Sequence, residues 1–194
     1  MTNKPMQQLV DEHSYIMMVV RFVEAVRQGW MDDQPLDDHL LRQIIVFMRE
    51  FADHYHHAKE EDVLFPAMVE AGVPEAGCPI GGLKGEHTKG RHLVSLLETG
   101  VGLRATEPDR AEVIIREALD GLVKLYPDHV WKEDEMVFPM VERVFDDQRL
   151  AALQAAFARV DQGFDDSPHH HMAFARELQR RLEAGGRSRR AASP

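Results

Sequence analysis

The sequence predicts an all-α protein built around a four-helix bundle. Three observations carry this: apolar residues recur at helical spacing almost throughout, no segment alternates as a strand would, and the chain repeats itself once around its histidines. Each repeat reads as a helix with one His followed by a helix with His-x-x-x-Glu. Neither helical hairpin can bury its apolar face alone, so the two pack together with pseudo-twofold symmetry.

The first helix is predicted over 5–29, on the apolar series Leu9, Ile16, Val19, Val20, Val23 and Val26, with Gly29 at its end. The second, over 36–71, follows Pro35 and opens on Asp37 and Asp38, acidic residues that suit a helix N-terminus. Gly72, Pro74, Gly77, Pro79, Gly81 and Gly82 separate it from a third at 83–104, and Pro108 starts a fourth at 108–145. Pro66, Pro127 and Pro139 fall inside these patterns and are expected to kink or break the long helices. A helical extension follows at 146–184, with one helix to Gln162 and another from His169. Residues 185–194, rich in Gly, Arg and Ser, read as a disordered basic tail.

With 194 residues, 23 Lys+Arg, 33 Asp+Glu and a net charge of −10, the chain suits one globular domain with an extension. An acidic surface repels phosphate backbones, so nucleic acid is not an expected partner. No apolar run approaches the roughly 20 residues of a membrane span, and the N-terminus lacks the apolar core of a signal peptide, so a cytoplasmic location off the membrane is expected. Cys78 is the only cysteine, which rules out an internal disulfide and a multi-thiolate metal cage. Any metal chemistry must come from the 11 histidines and the carboxylates.

Residues 56–66 and 129–139 align at an offset of 73, matching His56/His129, Lys59/Lys132, Glu60/Glu133, Phe65/Phe138 and Pro66/Pro139. Glu12-His13 corresponds to Glu86-His87 at an offset of 74. Positions i and i+4 lie about 40° apart around a helix, so His56 and Glu60 project together, as do His129 and Glu133. Ile115, Ala118, Leu122, Leu125, Met136 and Met140 share the His129 face, which turns that pair inward. A buried carboxylate needs a positive partner, and beside converging imidazoles a metal ion is the natural one. The set His13, His56, Glu60, His87, His129 and Glu133 suits two iron or manganese ions with bridging carboxylates better than one tetrahedral zinc. Six ligands on two ions leave positions open. In the first half, His57 with Glu61 has the same spacing and is the alternative register; distance from Phe65-Pro66 favours His56 and Glu60.

These motifs resemble the hemerythrin-like proteins with the HHE cation-binding domain, over roughly residues 8–145. The resemblance implies an up-down-up-down bundle and a non-haem di-iron centre, oxo- or hydroxo-bridged, on the six matching positions, with manganese or zinc as alternatives. The oxygen carriers of that family have a further His one turn after the third-helix His. Arg91 stands there, and His92 is on the wrong face. That departure counts against reversible oxygen carriage; binding or sensing of dioxygen, nitric oxide or iron is expected, the alternative being an enzyme acting on peroxide or nitric oxide or supplying iron for repair. The extension is expected to meet a second copy or another protein.

Of the remaining residues, His39, His54 and His169–His171 read as surface histidines, and the Met residues as core filler. Lys59 and Lys132 read as solvated charges. Glu12 and Glu86 suit either hydrogen-bond partners of the centre or surface charges. Tyr15 and Tyr126 read as core aromatics near the ligands, and Cys78 as a bystander in the loop.

Overall fold

The computed structural model describes residues 4–31 and 35–191. Six helices account for nearly all of them, and no strand occurs among the described residues. Helix α1 is Lys4–Met31, α3 is Ile80–Leu103, α5 is Asp147–Gln162 and α6 is Ser167–Ala191. Helix α2 runs over 38–70 and α4 over 108–144, each a continuous rod in which α-helical and π-helical segments alternate. Asp37 caps α2 by accepting the His39 and Leu40 backbone N–H groups at 2.9 and 3.2 Å, and Asp146 caps α5 through Arg149 N–H at 2.8 Å. Residues 185–191, expected in the tail, continue α6; 192–194 lie outside the described residues.

The two long helices do not break at their prolines. A π-helical segment, Glu60–Leu64, precedes Pro66, and another, Glu133–Val137, precedes Pro139. The two lie 73 positions apart, like the sequence repeat itself. A π turn admits one extra residue and moves the hydrogen-bond register, so the helix passes the missing proline N–H without ending. Pro127 lies within an uninterrupted α-helical segment.

The same insertion corrects the expected apolar stripe of α4. Met136, expected inside, is 51% exposed, while Val137 is 1% exposed; Met140 is half-buried and Val141 fully buried. The stripe slips by one residue where the π turn changes the phase.

Helices α1 to α4 form the bundle, each packed against two neighbours, with α5 and α6 laid over α1 and α2. Two apolar clusters fill it. One contains Ile16, Tyr55, Leu93 and Tyr126. The other contains Leu9, Leu64, Leu83 and Val137, joined by Leu153 and Phe157 of α5. Along α1 and α3 the chain passes from the second cluster to the first, and along α2 and α4 it returns, so neighbouring helices are antiparallel. Between the clusters lies a layer of buried polar side chains: Glu12, His13, His56, His57, Lys59, Glu60, His87, His129 and Glu133.

Candidate metal centre

All six residues selected from the sequence project into this layer, together with His57. His56 and His57 both turn inward because they close the π-helical segment Met48–His57, whose winding differs from an α-helix and whose last residues face α1 and α3 together. Their donor atoms form two groups, each lying within 4.8 Å of its own members. His57, Glu60, His87 and His129 make one; His13, His56, Glu60 and Glu133 make the other. Glu60 belongs to both. Glu133 lies 3.1 Å from His13, 3.3 Å from His129 and 3.7 Å from His87 at their Nε2 atoms, so it also spans the groups.

The two first-half registers are thus not exclusive. His56, Glu60 and His57 all face the centre, while Glu61 stands outside it. The signal for His57 was the adjacent pair His56-His57, together with the absence of a histidine at position 91.

Every imidazole of the layer is held from behind by a carboxylate. His13 Nδ1 meets Asp134 at 2.7 Å, His56 meets Glu12 at 2.9 Å, His57 meets Asp53 at 3.2 Å, His87 meets Glu61 at 2.6 Å, and His129 meets Glu86 at 3.1 Å. Such partners accept the Nδ1–H and aim Nε2 at the centre, where its lone pair can be offered to an ion. Glu12 and Glu86 are therefore hydrogen-bond partners of the centre, not surface charges. Phe65 stacks on His87 at 6.0 Å and Phe138 on His13 at 5.6 Å between centroids, which gives the repeated Phe its place.

Within this layer nine buried atoms are left without a hydrogen bond: the five Nε2 atoms and both oxygens of Glu60 and of Glu133. Buried polar atoms are almost always satisfied, so nine orphans pointing at one volume need a common partner. The closest pair, His13 Nε2 and Glu133 Oε2 at 3.1 Å, lies at ion-pair distance but is not aligned as a hydrogen bond. With metal–donor bonds of about 2.0–2.2 Å, neighbouring donors on one ion sit about 3 Å apart. Imidazole and carboxylate donors without thiolate suit iron or manganese, so the residues fit a metal pair.

Electrostatics agree with such a centre. Burial, then neighbouring positive imidazoles, lowers His57 well below the ordinary range, and burial lowers His56 to about 4. Both are neutral donors. Burial opposes the charge on His13, but the neighbouring carboxylates of Asp134 and Glu133 prevail and raise it to about 9. Burial and the charge of Glu133 push Glu60 well upward, whereas Glu133, beside His129, His13 and His87, is held well below the carboxylate range despite its burial.

Other expectations change. Lys59 is fully buried, bonded to Glu12 at 2.7 Å and Asp161 at 3.0 Å, because α5 covers it. Arg91 binds Asp53 at 2.8 Å and Glu61 at 2.7 Å, and so braces the supports of His57 and His87. His171 is half-buried against Phe47 and Phe51 rather than solvated. Tyr15 packs on Phe51 and meets Arg176 of α6, away from the donors; Tyr126 lies against His129. His39, His54, His92 and Cys78 are exposed.

Clefts reach the layer from two sides. One of about 410 Å³ between α2 and α3 touches His57, Arg91 and Tyr126. One of about 510 Å³ between α1 and α4 touches His13 and Asp134.

Two histidine–glutamate helix pairs, three further histidines and four antiparallel helices around a polar layer define a bundle protein with an internal cation site. The chain belongs to the hemerythrin HHE cation-binding domain family, whose model matches residues 4–141. It is also similar to three uncharacterized mycobacterial proteins: Mb2018 of Mycobacterium bovis, and MT2051 and Rv1995 of two strains of Mycobacterium tuberculosis. Each is 23% identical over 170 residues, covering 87% of this chain. The chain spans 63% of the length of these relatives. No solved structure matches significantly. No helix among the described residues is long and apolar enough to cross a membrane.

Proposed function

We propose that this is a non-haem di-iron protein that binds a small diatomic ligand, dioxygen or nitric oxide, within the bundle. The observation that carries the reading is the set of nine orphaned, buried donor atoms. His57, His87 and His129 would hold one ion, His13 and His56 the other, with Glu60 and Glu133 shared. A bound ferrous pair supplies electrons and open coordination positions to a small ligand.

The chain's own residues set the selectivity. The donor atoms are buried between two apolar clusters, so a ligand that reaches them from the flanking clefts must be small. Carboxylates on every Nδ1 keep the rings oriented when nothing is bound, which lowers the cost of binding. Among the described residues outside the donor layer, no side chain is placed as a dedicated nucleophile or general base, which favours binding or sensing over turnover of an organic substrate.

The test is metal analysis of tag-free protein, with absorption spectra before and after anaerobic reduction. About two irons per chain, with charge-transfer bands that change on adding dioxygen or nitric oxide, is the expected result. One zinc, or no metal after anaerobic iron reconstitution, overturns it. Peroxide turnover beyond one equivalent per site would make the protein an enzyme instead.

A further inference from the structure

We propose that Asp161 of α5, outside the stretch matched by the family model, is a positioning residue for the metal centre, acting on His56 through Lys59 and Glu12. The inference rests on the di-metal reading above and adds a component to it.

Glu12 divides its oxygens. Oε2 takes the His56 Nδ1–H at 2.9 Å, and Oε1 takes the Lys59 ammonium at 2.7 Å. Lys59 has no exposed surface; its Nζ sits 3.1 Å from the centroid of the Tyr55 ring and 3.0 Å from Asp161 Oδ1. Gln8 Nε2 closes the cluster, 3.0 Å from Asp161 Oδ2 and 3.2 Å from Glu12 Oε1. Residues of α1, α2 and α5 thus meet around one buried cation. A buried charge is tolerated only when paired, so the position of Lys59, and with it that of Glu12, depends on both carboxylates.

The other half of the repeat supplies an internal control. Glu86 takes the His129 Nδ1–H and the Lys132 ammonium just as Glu12 takes His56 and Lys59. Lys132, however, is 40% exposed, and among the described residues its carboxylate partner is Glu86 alone. The difference between the halves is α5, which covers Lys59 and brings Asp161 to it. Asp161 shares the positive charge that would otherwise fall wholly on Glu12. Glu12 is left the stronger acceptor for His56, and a stronger acceptor on Nδ1 makes Nε2 a better metal donor.

The test is Asp161→Asn in the full chain; Asp161 is 38% exposed, so the isosteric amide is compatible with folding. Stepwise cobalt(II) affinities are measured by competition with a chelator, and imidazole N–H signals by NMR of the metal-free protein. One of the two cobalt steps is expected to weaken about tenfold with the other unchanged. In the metal-free protein the His56 Nδ1–H signal is expected to shift and exchange faster, while that of His129 stays. Asp161→Glu should recover part of both effects, and Lys132→Met should move His129 instead. Gln8→Ala, which loosens Asp161 without removing its charge, should give a smaller weakening.

Unchanged cobalt affinities and an unchanged His56 signal, with only a lower melting temperature, would make Asp161 an anchor for α5 and overturn the proposal. If the wild-type chain binds no metal, the functional reading fails. The His56 signal then still decides whether Asp161 acts on that ring.

Discussion

The imidazole of His57 lies flat on that of His87, their centroids 3.8 Å apart and their planes 12° from parallel. Both rings direct Nε2 to the group they share with His129 and Glu60. Two charged rings would repel at this distance, and burial with the neighbouring imidazoles keeps His57 neutral. Its counterpart in the second repeat, 73 positions on, is Val130, so the pseudo-twofold breaks here and the imidazoles divide three to two. His57→Ala is expected to lower the metal content by one ion, and His54→Ala, at an exposed position, to leave it unchanged. Full metal loading of His57→Ala by mass spectrometry would reduce the centre to six residues.

Glu133 touches both donor groups and His129 is its helical neighbour at 3.3 Å. His129→Ala and Glu133→Ala should each reduce bound metal sharply, whereas His39→Ala should not. Normal iron loading in both ligand variants would remove the central claim. Chelation of the wild type should lower its melting temperature, since metal at a hundred times its dissociation constant adds about 2.7 kcal/mol to the folded state.

Metal loading should release protons at neutral pH. Burial and the charge of Glu133 favour the protonated form of Glu60, and the carboxylates of Asp134 and Glu133 hold a proton on His13 up to about pH 9, whereas burial has already emptied His56. An ion must displace the first two and not the third. Apparent affinity should therefore climb with pH from neutrality towards about 9 and level off above it. Titration calorimetry in buffers of different ionisation enthalpy measures the release; equal heats in all of them would contradict this.

Arg91 holds Asp53 and Glu61 with separate nitrogens, and those carboxylates hold His57 and His87. Arg91→Ala should weaken metal binding on the order of tenfold. Arg91→Lys should restore little, because one ammonium does not reproduce the two-nitrogen fork. Wild-type affinity in both variants, by chelator competition, would leave Arg91 a surface ion pair.

Helices α3 and α4 approach closely at Gly100, where an added Cβ would lie 2.6 Å from Ile115 Cγ1 and 3.2 Å from the Ile115 backbone nitrogen. Gly100→Ala should cost about 1–3 kcal/mol, since that backbone cannot step aside. Gly102 has nothing within 4 Å of an added Cβ, so Gly102→Ala should gain about 0.5–1 kcal/mol from helix propensity. Thermal unfolding of the two variants should shift in opposite directions.

The sequence by itself determined the four bundle helices, their pairing into two repeats and the six inward-facing residues. Those features rest on local periodicity and on a repeated pattern, both of which a linear chain displays. Tertiary structure decided what depends on helical phase and on distant neighbours. The π turn before Pro139 moved the α4 stripe from Met136 to Val137, and the π segment ending at His57 turned two adjacent histidines inward. No count at 3.6 residues per turn contains such an insertion. Lys59 reads like Lys132 in the chain, yet one is buried and the other meets water, because only the first is covered by a helix about a hundred residues further on. Burial is a property of what packs over a residue, and for Lys59 that was α5.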